Sequence, residues 1–411
     1  MTAALARHRD LVAYRDEFPL LARTIYLNTC SLGARSERSR RRLNHMLGEW
    51  DALGARAWYR HWLGELAGLR ADLGWTVGVP GDEIALAPNV SAALAVFASA
   101  LDAVHRGDTT ALEALDAAGV TAGPRPRRRV VITELDFPTL GHQWLARRLT
   151  GVEVTIVRSP DGLTVPLDAF ADAIDDQTAL VATSHVYFTT GAVQDVGPLA
   201  TLAHRHGALL LVDGYQATGL VPTALAASGA DAYVSGTLKW LFGGSGTAFL
   251  WIRPALWKAL VPTITGWFSQ ANQFAFDVER LEFAPDARRF ELGTPSMPSA
   301  AIARGGLEIV REIGIDALAA RTRDLGQRLI DGAASVGLRV RAVIEPERRG
   351  GIVAIEVADP RPVVERLADA GIIVDYRPGI VRCSPAFYST EEEVDALIAA
   401  LDQLVPASDR S

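Results

Sequence analysis

Short apolar runs alternate with helix-like stretches through the middle of the chain, and this alternation limits the possible folds more than any other feature. Each run has the length of a strand, and the stretches between the runs have room for a helix. Continuous apolar strands separated by helices are typical of a parallel sheet that is buried on both faces. The sequence therefore predicts an α/β fold around a mostly parallel sheet, with buried strands at 129–133, 152–157, 179–184, 208–212 and 247–252.

The composition fits a globular protein with more than one domain. The 411 residues are many for one hydrophobic core, and 49% of them are hydrophobic while 22% are charged. A net charge of -7 argues against nucleic acid as a partner. The apolar runs are too short to cross a membrane, so we expect no membrane association. Residues 1–10 lack the apolar core of a signal peptide, which predicts a cytoplasmic location.

We divide the chain into three predicted parts. Residues 1–55 are expected to form an N-terminal segment that packs with a small domain, residues 56–295 a large domain, and residues 296–411 the small α+β domain. Apolar spacing and capping signals predict helices at 36–53, 58–73, 299–313 and 390–404. Strands of the small domain are expected at 338–344, 351–357 and 379–383.

Residues 103–129 are predicted to form a surface insertion, because they are small, polar and contain proline and glycine. The segment ends in a basic cluster at 125–129 that could bind a phosphate or a partner. A solvated loop is the favoured interpretation, since runs of charge are usually solvent-exposed.

A carboxylate and a lysine carry the strongest chemical signal. Asp213 ends the apolar run at 208–212, and Lys239 follows the next strand-like segment, between Leu238 and Trp240. Alone, Asp213 would more often cap a helix, and a lone lysine is more often exposed. The apolar neighbours of Lys239 instead predict burial, which lowers the pKa of an amine and makes it a usable nucleophile. The pair fits pyridoxal phosphate (PLP), in which a lysine forms a Schiff base and an acid pairs with the pyridinium nitrogen.

Other residues are candidates to hold this cofactor. Val90 and Ser91 open a predicted helix, whose free N–H groups could bind phosphate, although most helix starts are simple caps. Thr237 is a second phosphate candidate. Gln216 could reach the phenolic oxygen of the cofactor. Phe137, in a turn after a strand, could stack on its ring or belong to the core.

Arg382 lies inside an apolar strand, where a guanidinium is costly unless it has a partner. The partner could be a structural acid or the α-carboxylate of an amino-acid substrate, and the sequence leaves both open. His185 follows a predicted strand, at the edge of the sheet where ligands bind in α/β proteins. We expect His185 to contact the cofactor and Tyr187 to contact the substrate, although either could be structural.

These segments together resemble the class V aminotransferase superfamily of fold-type I PLP enzymes, in particular its kynureninase-like and isopenicillin-N-epimerase-like members. The resemblance covers about residues 26–404. It implies a large PLP-binding domain with a mostly parallel sheet of the seven-stranded type, a smaller α+β C-terminal domain, and a homodimer with active sites at the interface. Its most specific motifs are residues 212–216, 236–240, 266–268, 289–295 and 375–385.

The resemblance also implies roles, position by position. Lys239 would form the Schiff base and move protons, and Asp213 would pair with the pyridinium nitrogen. Phe137 would stack on the ring, and Val90 and Ser91 would form the phosphate-binding turn.

Further roles concern the substrate side of the site. Trp267 and Thr294 match positions that build the phosphate cup and the substrate wall near the dimer interface. Arg382 matches the arginine that grips the α-carboxylate of an amino-acid substrate.

The chain departs from two branches of this superfamily. Kynureninases usually carry a tyrosine where this chain has Leu238, and a Ser-Asn-Pro at 293–295, so kynurenine is not expected as the substrate. Desulfurases need a nucleophilic cysteine on a loop before the carboxylate arginine, which this chain lacks. Cys383 should point away from the face of Arg382, and Cys30 is more easily explained as a core residue. We therefore expect no persulfide chemistry, and two cysteines also give no disulfide framework and no metal site.

We expect a PLP enzyme that acts on an α-amino acid and cleaves a C–S or C–C bond of its side chain as a lyase or hydrolase. An aminotransferase, an epimerase or a decarboxylating deaminase would share the first steps, and fold and cofactor alone do not separate them. A catalytically degenerate PLP-fold partner protein is the non-enzymatic alternative.

Overall fold

The computed structural model describes residues 11–121 and 126–410. Its centre is a seven-stranded sheet. Five adjacent strands, from Glu153–Val157 at one edge to Ala232–Gly236, run parallel to one another, and the next strand, Ala248–Ile252, is antiparallel to both of its neighbours. This confirms the predicted mostly parallel sheet. In chain order the strands are β1 (Ile25–Tyr26), β2 (Ile84–Ala87), β3 (Arg129–Thr133), β4 (Glu153–Val157), β5 (Thr178–Ser184), β6 (Leu209–Asp213), β7 (Ala232–Gly236), β8 (Ala248–Ile252), β9 (Val340–Arg341), β10 (Val353–Glu356), β11 (Ile372–Ile373), β12 (Asp375–Arg377) and β13 (Ile380–Cys383).

Helices cover both faces of this sheet, whose strand order is β2-β8-β7-β6-β5-β3-β4. Within the strands, successive side chains enter two different hydrophobic clusters, because side chains alternate across a strand. Val181 and Leu210 belong to one cluster, and Leu180 and Leu211 belong to the other. The α-helices are α1 (Glu37–Leu53), α2 (Leu63–Thr76), α3 (Val90–Ala100), α4 (Asp102–Arg106), α5 (Thr109–Ala117), α6 (Pro138–Ala146), α7 (Leu167–Ala171), α8 (Val196–Arg205), α9 (Leu225–Ser228), α10 (Met297–Ile313), α11 (Ile315–Ser335), α12 (Pro360–Asp369) and α13 (Glu391–Leu404).

The C-terminal part of the chain builds a second, antiparallel sheet in the order β12-β13-β10-β9. A third hydrophobic cluster lies there, and it includes residues of α11 and α13. Strand β1 pairs in parallel with β11, so the N-terminal segment contacts this part of the chain directly. Thr390 caps α13 with a capping box, in which Thr390 and Glu393 each accept the other's backbone N–H. The predicted strand at 338–344 was too long, since only Val340–Arg341 is paired.

The prediction of a surface insertion at 103–129 is wrong for the described residues. Helices α4 and α5 lie here, and Val104, Leu112 and Leu115 are buried in the core beside the large sheet. Arg127, predicted to lie in a solvated loop, is buried and donates to the carbonyl of His206 at 2.5 Å. The high average polarity of the segment concealed a helical apolar face, and Arg125 lies outside the described residues.

Strands β3, β5 and β6 all end at one edge of the large sheet. Ser184 ends β5 directly beside Asp213, which ends β6. Asp136 joins the ends of β3 and β5, because its carboxylate accepts the backbone N–H groups of Thr133 at 2.7 Å and of Ser184 at 2.6 Å. Burial raises the pKa of Asp136 to about 6, although these bonds act against the rise. No helix within residues 11–121 and 126–410 is long and apolar enough to span a membrane.

Candidate active site

A cavity of about 210 Å³ opens at the edge of the large sheet where these parallel strands end. Its walls come from the segments that follow β5, β6 and β7 and from the first turns of α3 and α6. The cavity brings together half of the residues that the sequence predicts for the site. The lining residues are Val90, Ser91, Phe137, Thr139, Ser184, Val186, Phe188, Asp213, Tyr215, Gln216, Leu238 and Lys239.

Lys239 lies in the loop after β7 and is half-buried. Its Nζ is 4.6 Å from the centroid of the Tyr215 ring and 5.8 Å from that of Phe137. Burial lowers the pKa of Lys239 to about 8, although the neighbouring groups of Cys30 and Asp213 act in the opposite direction. A lysine with this pKa supplies a free amine near neutral pH, as a nucleophile requires.

Asp213 is buried at the end of β6, and its Oδ1 accepts the backbone N–H of Tyr215 at 2.9 Å. Burial raises the pKa of Asp213, while the bond from Tyr215 and the charge of Lys239 partly offset the rise. A buried carboxylate of this kind is stabilised when a cationic partner lies beside it. The arrangement fits a protonated ring nitrogen in the cavity.

The first turns of two helices present backbone N–H groups near the cavity. Asn89 caps α3 by accepting the N–H of Ala92 at 2.9 Å, and the N–H groups of Val90 and Ser91 precede the first bonded turn. Thr139, which the sequence analysis missed, lines the same cavity from the first turn of α6. The positive ends of helix dipoles favour an anionic group such as phosphate.

The side chain of Gln216 joins two segments beside the cavity. Its Nε2 donates to the carbonyl of Cys30 at 2.9 Å, and its Oε1 accepts the indole N–H of Trp240 at 3.0 Å. Gln216 therefore fixes the N-terminal turn against the loop that carries Lys239. It also lines the cavity, as the sequence predicts.

Arg382 lies directly behind the aromatic wall of the cavity. The Phe137 ring meets the Phe188 ring edge-on at 5.2 Å between centroids, and Arg382 Nη1 donates to the carbonyl of Phe188 at 2.8 Å. Arg382 Nη2 donates to Ser31 Oγ at 2.9 Å and to Asp375 Oδ2 at 2.5 Å. The structural acid that the sequence left open is therefore Asp375. Among the described residues, however, the buried Nε of Arg382 has no hydrogen-bond partner.

Three predicted contacts are not supported by the side-chain positions. After β5 the side chains alternate, so Ser184, Val186 and Phe188 line the cavity, whereas His185 lines a separate groove. Tyr187 is buried and donates to Gln194 Oε1 at 2.9 Å.

Thr237 is the third of these residues, and it is also buried. Its hydroxyl lies 3.0 Å from the carbonyl of Gly244 and 3.2 Å from that of Thr247, so it is used within the glycine-rich turn. His185, Tyr187 and Thr237 have residue types suited to the site, but the strand register and local turn bonds direct their side chains away from the cavity.

Comparison with known proteins identifies the family to which this fold and cavity belong. The family profile Aminotransferase class-V matches residues 103–397. The chain belongs to the class V aminotransferase family. Members of this family are enzymes that use pyridoxal phosphate, and Lys239, Asp213 and the two helix starts fit that cofactor by position and charge.

Two curated relatives of this family member match nearly the whole chain. An uncharacterized aminotransferase, YcbU, from Bacillus subtilis is 30% identical over 93% of this chain and 94% of its own length. A kynureninase from Pseudomonas fluorescens is 30% identical over 98% of this chain and 94% of its own length.

Two solved structures show the same fold at low identity. A cysteine desulfurase from Thermococcus onnurineus superposes with a TM-score of 0.80 at 20% identity, covering 96% of this chain and 97% of its own. The cystine C–S lyase C-DES, in complex with its reaction product cysteine persulfide, gives a TM-score of 0.82 at 22% identity, covering 95% of this chain and all of its own. At these identities the likeness concerns the fold alone.

Trp267 and Thr294 lie outside the cavity of this class V protein. Both are exposed, and the indole N–H of Trp267 donates to Thr294 Oγ1 at 3.3 Å. Their predicted place in the phosphate cup and substrate wall therefore needs a contribution across an interface, and it remains a prediction.

The two cysteines are both buried. Cys30 belongs to the core cluster of the large sheet and Cys383 to that of the C-terminal part. Burial raises the pKa of the Cys383 thiol, which disfavours the thiolate form that cysteine chemistry uses.

Proposed function

We propose that this class V enzyme is a lyase that cleaves a C–S or C–C bond in the side chain of an α-amino acid. The observation that carries the proposal is the placement of Arg382 behind Phe188, with an unpartnered buried Nε, next to the cavity that holds Lys239. A free guanidinium N–H can donate to a carboxylate, and the amine of Lys239 can serve as the base that takes a proton from the substrate. The kynureninase from Pseudomonas fluorescens, which is similar over nearly the whole chain, also favours a lyase.

Each residue has a distinct task in this proposal. Bound pyridoxal phosphate supplies an electron-poor ring that weakens the bonds to the Cα atom of an attached amino acid. Arg382 binds the α-carboxylate and fixes the orientation of the substrate. Lys239 Nζ would take and return a proton of the substrate as its free amine. Asp213 would pair with the ring nitrogen of the cofactor, and Phe137 would shield the ring from water.

The reaction class is tested by analysing products with purified protein and PLP. A panel of aromatic, acidic and S-substituted amino acids is incubated with wild type and with Lys239→Ala. A lyase yields a cleaved side-chain fragment together with a keto acid and ammonia, or with alanine. Stoichiometric conversion of PLP to pyridoxamine phosphate, followed by turnover only when a keto acid is added, would instead assign an aminotransferase.

The aminotransferase is the second candidate, because the Bacillus subtilis relative is described as one. Leu238 and Thr294 lie where kynureninases usually have other residues. Kynurenine is therefore included in the panel, and we expect it not to be cleaved. An unchanged absorbance spectrum after adding PLP would favour the catalytically degenerate alternative. We also propose a homodimer in the cytoplasm, in line with the sequence analysis.

A further inference from the structure

Tyr215 is a wall of the cavity to which the sequence analysis gave no role. It lies two residues after Asp213, and its backbone N–H donates to the Asp213 carboxylate at 2.9 Å. Its ring lies under the amine of Lys239, with 4.6 Å between Nζ and the ring centroid. Tyr215 therefore touches both of the groups that would meet opposite ends of the cofactor ring.

The geometry restricts where that ring can lie. A planar ring that is joined to Lys239 Nζ through its aldehyde carbon and meets Asp213 through its nitrogen must extend across the space between these groups. Tyr215 lines this cavity together with Lys239 and Asp213. The ring centroid of Phe137, which directly precedes α6, lies 5.8 Å from the same Nζ. Two aromatic side chains therefore lie close to the amine that would hold the ring.

The neighbouring strand is built to admit the Tyr215 ring. A Cβ atom on Gly236 would come within 2.6 Å of Tyr215 Cε2, a distance that real Cβ atoms do not tolerate. Gly236 is the last residue of β7 and is buried there. The absence of a side chain at Gly236 is therefore what allows Tyr215 to lie against the cavity.

The phenol of Tyr215 adds no charge to this site. Burial raises the pKa of Tyr215 to about 12, and the charge of Asp213 acts in the same direction. The phenol thus stays protonated at any physiological pH. Its contribution to the cavity is the face of the ring.

We propose that Tyr215 is a positioning residue that forms the second aromatic wall of the cofactor site, with Phe137 as the first, in the space that Gly236 leaves open. Its face also holds the Lys239 ammonium when that amine is not bonded. The inference rests on the proposed function for the identity of the cofactor. Offset stacking of aromatic rings contributes roughly 0.5–1.5 kcal/mol, which corresponds to an affinity change of about 2- to 12-fold.

The test compares Tyr215→Phe with Tyr215→Leu, which keeps an apolar side chain but removes the aromatic face. Apoprotein is titrated with PLP, and the dissociation constant and visible circular dichroism of the bound cofactor are recorded. We expect Tyr215→Phe to bind PLP as wild type does, and Tyr215→Leu to bind it about 2- to 12-fold more weakly with an altered dichroic band. Equal affinity and an unchanged band in Tyr215→Leu would overturn the assignment of Tyr215.

Gly236→Ala provides a second, independent route, because the added methyl group takes the space of the Tyr215 ring. We expect it to weaken PLP binding in wild type but to add little in the Tyr215→Leu background. Equal losses in both backgrounds would overturn the proposal. Far-ultraviolet circular dichroism confirms that each variant is folded. If wild type itself binds no PLP, the proposed function fails. If wild type and Tyr215→Leu bind PLP equally well, only the inference on Tyr215 fails.

Discussion

Asp375 Oδ2 lies 2.5 Å from Nη2 of Arg382, so the guanidinium expected to bind a substrate carboxylate already has a carboxylate partner in the protein. Ser31 donates to the same Oδ2 at 2.5 Å. The ion pair with Asp375 orients the guanidinium of Arg382. It leaves the Nε–H without a hydrogen-bond partner. A buried arginine that lacked Asp375 would be an uncompensated charge, which is costly in a protein interior.

Replacing Asp375 with asparagine should therefore destabilise the protein at neutral pH by about 1.5–3 kcal/mol, the usual worth of a hydrogen bond to a charged group. Burial raises the pKa of Asp375, but the hydroxyl of Ser31 and the charge of Arg382 outweigh it and hold the pKa below its usual value. A carboxyl group whose pKa is lower in the folded than in the unfolded protein stabilises the fold above its unfolded pKa of about 3.9. That stabilisation is lost as the pH falls through its pKa in the folded protein. The difference between wild type and variant should thus shrink below about pH 4.

Urea unfolding at neutral and acidic pH measures this difference. Asp51→Asn is the control, because Asp51 is exposed on helix α1. A stability gap for Asp375→Asn that is constant across pH would contradict the assigned ion pair.

The amine of Lys239 should govern how fast apoprotein captures PLP. Only the uncharged amine attacks an aldehyde, and burial sets the pKa of Lys239 to about 8. The capture rate at limiting PLP should rise roughly tenfold per pH unit below that value and level off above it. Stopped-flow absorbance across the pH range follows the reaction, with Lys239→Arg as the variant that should show no capture. A rate that keeps rising steeply beyond pH 9 would indicate an ordinary, unperturbed lysine.

Asp213→Asn should separate folding from function. The pKa of Asp213 is raised by burial, so its ionised form costs stability in the empty cavity, and we expect the variant apoprotein to melt at the same or a higher temperature than wild type. With PLP bound, loss of a charge-assisted bond to the ring nitrogen should lower kcat by about 10- to 100-fold, or roughly 1.4–2.7 kcal/mol. Thermal melting of apoprotein and steady-state kinetics of the loaded enzyme check both parts. An unchanged kcat would show that Asp213 does not meet the ring.

Local sequence patterns identified Asp213, Lys239 and the parallel sheet, because strand ends and apolar neighbours are readable within a short window. The burial of Arg127 was not readable, since it depends on carbonyls that are distant in the sequence. Tyr215 and Phe188 were missed for a similar reason. Successive side chains after a strand point to opposite faces, so the strand register decides whether an aromatic residue there faces the cavity or the core. Only the packed sheet fixes that register.

Because its side chain points away from the cavity, His185 should be dispensable for chemistry. Burial lowers the pKa of His185 to about 4, so its ring is neutral, and the ring packs edge-on against Tyr233 away from the cavity. His185→Leu should change kcat/KM by less than about twofold, equal to roughly 0.4 kcal/mol. Ser184→Val, on the adjacent cavity-facing position, should weaken PLP binding by adding bulk beside Asp213. A large loss of activity in folded His185→Leu would restore the role predicted from the sequence.

An exposed apolar patch is the feature that best supports a homodimer. Trp267, Phe274, Phe276 and Leu281 are each at least 41% exposed, and Val278 is 97% exposed. Patches of this kind usually mark an interface, and this one includes Trp267, which the family resemblance places near the dimer contact together with Thr294.

Val278→Asp should therefore shift the protein towards monomer, because a buried, unpaired carboxylate at an interface is strongly unfavourable. Sedimentation velocity at several protein concentrations measures the shift. Leu149→Asp is the matched control, since Leu149 is 96% exposed and far from this patch in sequence. If the second copy completes the phosphate cup, Val278→Asp should also lose PLP as it is diluted, while Leu149→Asp retains it. A dimer of unchanged stability in Val278→Asp would place the interface on another face.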